Sequence, residues 1–156
     1  GVNLHRRGLY TWWQRMFLHP AMVAFDAPSR EECTVERPRS NIPQQALVLL
    51  NDPTFVEAAH GLAERTLQSA EPETARRIDW IWKEVLSRLP EKTEAEVLTK
   101  VYERHRTQYE ADPESAKQLL NVGTLRVNES LDTVELAAWT SVARIVLNLN
   151  ETITRP

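Results

Sequence analysis

Cysteine occurs once, at Cys33, so neither an intramolecular disulfide nor a paired-thiol metal site is available, and one thiol says nothing of redox compartment. Glycine is scarce too, with four residues against nine prolines, a balance that favours helices separated by proline-marked turns over strands joined by hairpins. No apolar run approaches the ~18 residues that a membrane helix requires, and no signal peptide stands at the start. The chain opens Gly-Val-Asn, without methionine, and is read as starting inside a longer polypeptide. A concentrated excess of Lys and Arg is also missing: the net charge is −3, which argues against nucleic acid or anionic lipid as a partner, while the lack of a long apolar run argues against membrane insertion.

Several cofactor signatures are absent as well. There is no Cys-x-x-Cys-His, Gly-x-Gly-x-x-Gly, Walker-type loop, His-Glu-x-x-His or Gly-x-Ser-x-Gly. The histidines His5, His19, His60 and His105 are too widely spaced to put two imidazoles on one helical face. No catalytic residue, no metal ligand and no cofactor is therefore assigned.

What is present is ordinary globular material: 156 residues, 42% hydrophobic and 26% charged. A chain of this size buries roughly 68–70% of its unfolded surface. The reading is all-α, a single compact array of six to seven helices over residues 1–156. Helices are expected from Arg7 to Leu18, briefly after Pro20, over "PQQALVLLN" from Pro43, and over "PTFVEAAHGLAERTLQSA" after Asp52 as N-cap. A further helix from near Glu73 carries Ile78, Ile81, Trp82, Val85 and Leu89 on one stripe. Thr93 with Glu96 has capping-box spacing, Asp112-Pro113 opens a shorter helix, and Asp132 with Glu135 opens the last. That last helix, "LAAWTSVARIVLNLN", is apolar on more than one face and should be the most buried.

Between residues 26 and 42 lies a long ordered loop containing Pro28 and Pro38 but no sustained periodicity. Its carboxylates Asp26, Glu31, Glu32 and Glu36 alternate with Arg30, Arg37 and Arg39. Interleaved signs point to ion pairs and Arg-to-carbonyl bonds that tether the loop, rather than to the spaced carboxylate pair of a glycosidase. Cys33, without a nearby His or second Cys, reads as a small, at least partly buried residue. Gln44, Gln45, Asn51 and Asp52 bracket the short apolar helix and can either satisfy its end groups or hydrogen-bond a sugar or peptide, and Asn41 is counted with the same network or binding residues. Trp12 and Trp13 are adjacent and Trp80 lies opposite the Trp82 stripe, so these three are candidates for an interdomain surface. Met16, His19 and Met22 carry side chains of the kind that ligate haem, though filling a helix corner is the plainer role for the methionines.

The segments "LYTWWQRM", "MVAFDAPSREECTVERPRSNIPQQALVLLNDPTFVEAAHGLAER" and "ELAAWTSVARIVLNLNETITR" together resemble the C-terminal part of a planctomycete-type domain of unknown function. Its motif falls on Phe25, Asp26, Pro28, Arg30, Cys33, Arg37, Arg39, Asn41 and Pro43, and continues through Gln45, Ala46, Leu47, Leu50, Asn51, Asp52 and Pro53. Where the family often reads Thr-Asn-Thr-Pro-Leu-Gln, this chain has Ser40-Asn41-Ile42-Pro43-Gln44-Gln45, losing one hydroxyl and gaining one amide. The resemblance implies the C-terminal portion of a longer domain, in a family with no established reaction. It further implies an exported parent protein in a bacterial periplasm or cell envelope, with haem c on a cytochrome c domain elsewhere in the same polypeptide. The mixed-sign loop, the amides at helix ends and the lack of a catalytic constellation lead to the expectation of a helical interaction or scaffold domain with no activity of its own. The other expectation is half of a polysaccharide-binding or hydrolytic cleft, completed by a missing N-terminal region.

Overall fold

Helix starts in this chain are written by proline and aspartate. A computed structural model describes residues 8–14, 16–29, 31–36, 38–69 and 72–154. Among these residues there are eight α-helices and no strands: α1 (Pro20–Ala24), α2 (Pro43–Asn51), α3 (Pro53–Ser69), α4 (Thr74–Leu86), α5 (Lys92–Ala111), α6 (Pro113–Leu120), α7 (Thr133–Leu147) and α8 (Asn150–Ile153). The all-α reading holds. Pro20, Pro43, Pro53 and Pro113 each stand first in their helix, where the missing N–H would have had no partner anyway. Asp112 and Asp132 cap α6 and α7 by accepting from the backbone N–H groups of Ser115 and Glu135.

α7 is the axis around which α3, α5 and α6 pack. Residues Leu136 to Ala143 are all buried, with Trp139 fully so, which agrees with its apolarity on several faces. Ile78 and Trp82 from α4, Leu98 and Tyr102 from α5, and Leu120 from α6 close the core around it. A second, smaller cluster joins Ala59 and Leu62 of α3 to Ile81 and Ala143. No helix among the described residues is long and apolar enough to cross a membrane.

Four local expectations need correction. The described part of the 7–18 segment is not an α-helix: a single 3-10 turn, Gly8–Tyr10, is followed by an isolated bridge between Gln14 and Phe17. Its Tyr-Thr-Trp-Trp run is poor helix material, and a helix there would need cover on two sides for the paired tryptophans. The capping box of α5 is Glu91 with Glu94, not Thr93 with Glu96. Glu94 prevails because its carboxylate also holds Arg88 by two bonds of 2.9 Å. The α4 stripe stops short, since Ser87 turns left-handed (φ 60°) and Leu89 beyond it is 63% exposed. Cys33 is exposed.

Candidate functional site

The long loop is closed at its neck by one aspartate. Asp26 has a left-handed backbone, φ 55°, a conformation that Asp tolerates better than most side chains. This aims its carboxylate across fourteen residues to Ser40, whose backbone N–H donates at 2.7 Å and whose hydroxyl donates at 2.7 and 2.9 Å. Gln45, in the first turn of α2, donates its amide to the Ser40 carbonyl at 3.0 Å. Along the loop, Trp13 donates its indole N–H to the Ser29 carbonyl, also at 3.0 Å. The 26–42 segment is thus irregular but fixed at both ends.

The remaining motif residues divide by role. Asn51 donates to the Leu47 carbonyl one turn back at 3.0 Å. Asp52 accepts from the Thr54 N–H at 2.9 Å, satisfying an orphan donor at the start of α3. Arg39 is exposed, and among the described residues its guanidinium has no ion pair. Arg30 and Arg37 lie outside the described residues. Glu31 and Glu32 are exposed. Of the tryptophans, Trp12 is 69% exposed, whereas Trp13 is half-buried. Trp80 packs beside the smaller core cluster, under the Arg65 guanidinium at 5.7 Å from the ring centroid.

Arg39 and Asn41 open onto a groove of about 530 Å³. One wall is the run from Arg39 into the first turn of α2, and the other comes from the end of α7 and from α8. Four carboxamides line it, from Asn41, Gln45, Asn148 and Asn150. Ile42, Pro43 and Ile153 supply apolar surface between them. The far wall is anchored by Arg88, which grips Glu151 of α8 at 2.7 and 2.9 Å while holding Glu94 of α5. That grip holds the Glu94 carboxyl down at about 2, first through the Arg88 bonds and then through the Glu91 N–H. Asp26, Glu31 and Glu32 are not among the residues that line it. No group of three or more His, Cys, Asp or Glu able to hold a metal occurs among the described residues.

Two polar centres went unseen in the sequence. Glu135, recognised there only as half of a cap, receives Arg77 at 2.9 Å, the Tyr102 hydroxyl at 2.8 and 2.9 Å, and the Trp139 indole N–H at 3.1 Å. Burial, then the bond to Glu135, pushes the Tyr102 hydroxyl up to about 12. Arg144 of α7 donates to the Leu50 carbonyl near the end of α2, an arginine-to-carbonyl tether made outside the 26–42 loop.

Fold and groove together define an all-helical domain with a clamped loop, one apolar flank and one amide-lined recess. The chain belongs to the PSD1 family, described as a protein of unknown function (DUF1553), whose model matches residues 1–102. Helices α6 to α8 lie beyond the matched stretch, so the groove has one wall inside it and one outside. Comparison with curated proteins found no match, and comparison with solved structures found none.

Proposed function

We propose that this domain is a helical interaction scaffold of an exported, cytochrome-associated protein, and that its N-terminal segment is the docking face. One observation carries the reading: Leu9, Tyr10, Trp12, Met16 and Phe17 are each about two-thirds exposed or more, from 66% for Tyr10 to 86% for Met16. Scattered apolar residues are normal on a surface, but five large ones within nine positions form a patch of the kind that meets a partner. The partner is a haem-bearing domain of the same polypeptide, an assignment that rests on the family resemblance alone. The fixed loop neck supports a scaffold role, because a segment already ordered loses little conformational entropy on docking.

The test is photo-cross-linking in the full-length parent polypeptide, with benzoylphenylalanine at position 12. Cross-links from that position to a haem-binding domain, reduced by Met16→Ser with Phe17→Ser, are the expected result. Cross-links confined to water-quenched product, with none to another domain, would remove the docking face.

A further inference from the structure

The amide-lined groove sits apart from the N-terminal apolar face, since none of its lining residues comes from positions 9–18. It therefore stands or falls on separate evidence. Three features decide what fits it. Its volume, about 530 Å³, is within the ~300–1,000 Å³ typical of ligand sites. Among the described residues its only charged lining residue is Arg39, a cation with no ion pair there and no carboxylate among the other lining side chains. The start of α2 adds to that sign, because Ile42 offers no side-chain cap and the positive end of the helix dipole faces an uncapped first turn.

The remaining lining chemistry is that of a peptide site. A carboxamide presents one acceptor and two donors, which matches the N–H and C=O of an extended backbone. Asn41, Gln45, Asn148 and Asn150 place four such groups around the apolar surface of Ile42, Pro43 and Ile153. Asn148 leaves its Oδ1 buried with no hydrogen-bond partner, a cost that a small side-chain rotation toward a bound donor would remove. No aromatic side chain lines the groove among the described residues, which give a sugar ring no flat face to stack on. We infer that the groove between the start of α2 and the α7–α8 corner binds a short extended peptide carrying a carboxylate, with Arg39 taking the carboxylate and the four amides taking the backbone.

The experiment uses an array of hexapeptides in matched forms: Asp or Glu replaced by Asn or Gln, and the C-terminus free or amidated. Those two arms separate a side-chain carboxylate from a terminal one. Peptides retained on the array are then titrated against the ¹⁵N-labelled chain while the side-chain NH₂ signals of Asn41, Gln45, Asn148 and Asn150 are followed. Saturable shifts at those four signals are expected, with affinity falling about tenfold for Arg39→Gln, as for loss of one charge-assisted bond. Asn150→Asp guards against a folding artefact. An acid at the first position of α8 suits that helix terminus, yet it sets a negative charge on the groove wall, so it should weaken the same peptides. The inference is overturned if no peptide binds more tightly than about 1 mM, if retention is indifferent to Arg39→Gln, or if oligogalacturonate shifts the four amides while peptides do not.

Discussion

Replacing Asp26 by alanine removes the carboxylate that accepts from two Ser40 donors and forces an alanine into a left-handed backbone. Hydrogen bonds to a charged group contribute ~1.5–3 kcal/mol each, and Asp26 is half-buried, so the low end applies and the pair is worth roughly 2–3 kcal/mol. The left-handed φ adds about 1 kcal/mol for alanine. Opening of the loop neck should therefore become easier by about 3–4 kcal/mol. The loop can open while the α7 core stays folded, so the readout must be local. Trypsin cleavage between Arg39 and Ser40 under native conditions reports the open population when opening is fast relative to cutting.

At ~1.4 kcal/mol per decade, Asp26→Ala should raise the cleavage rate by at least about 100-fold. Asp26→Gly accepts the same φ without strain and should fall about five- to tenfold below the alanine variant. Arg39→Ala, by contrast, should leave urea unfolding unchanged within about 0.5 kcal/mol, as expected of an exposed side chain. An Asp26→Ala rate within twofold of the parent would refute the clamp. Equal rates for Ala and Gly would refute the strain argument while sparing the hydrogen bonds.

Glu135→Ala should lower the urea unfolding free energy by about 3 kcal/mol or more, because it strands Arg77, the Tyr102 hydroxyl and the Trp139 N–H around a half-buried vacancy. Gly123→Ala should lower it by about 2–4 kcal/mol, since the residue has φ +95° and an added Cβ would meet Glu57 Oε2. A Gly123→Ala chain as stable as the parent would show that the Glu57 to Thr124 contact is dispensable. His60 is buried on α3 and burial holds its pKa below the ordinary 6.5, with Glu64 and Glu57 partly opposing. Below pH 6.5 the unfolded chain takes up the proton that the folded chain resists, so stability should fall as pH drops through that region. Two-point urea melts at pH 7 and pH 5 should show a smaller loss in His60→Leu; an equal loss would place the acid sensitivity elsewhere.

What could be read from the sequence is what depends on near neighbours. Pro43, Pro53 and Pro113 at helix starts, and Asp112 and Asp132 as caps, act within about four residues, so their spacing alone carries the signal. α7 was legible because apolarity on several faces calls for burial on several sides, in a helix not long and apolar enough to cross a membrane. Two partners of Glu135, Arg77 and Tyr102, stand 58 and 33 residues away, and the Arg144 to Leu50 bond spans 94, so no local pattern announces them. The α5 register failed for a related reason. Two capping-type pairs, Glu91 with Glu94 and Thr93 with Glu96, share one spacing, and Arg88, held also by Glu151, chooses between them. The groove was half legible, since Asn41 and Gln45 were singled out while Asn148 and Asn150 reach it only through the fold.

The segment from Asp26 to Asp52 is strut and site at once, divided residue by residue. Asp26 accepts from Ser40 and Gln45 donates to the Ser40 carbonyl, which closes the neck, whereas Arg39 and Asn41, flanking Ser40, are exposed and line the groove. The division implies an asymmetry. Loosening the clamp frees the chain on which Arg39 sits, so Asp26→Ala should weaken carboxylate peptides although Asp26 lines no part of the groove. Arg39→Gln should weaken the same peptides and leave tryptic opening at the Asp26 neck, followed at the Arg30–Glu31 bond, at the parental rate. If both variants moved both readouts equally, Arg39 would be part of the clamp, and the groove would lose the one cation that selects its ligand.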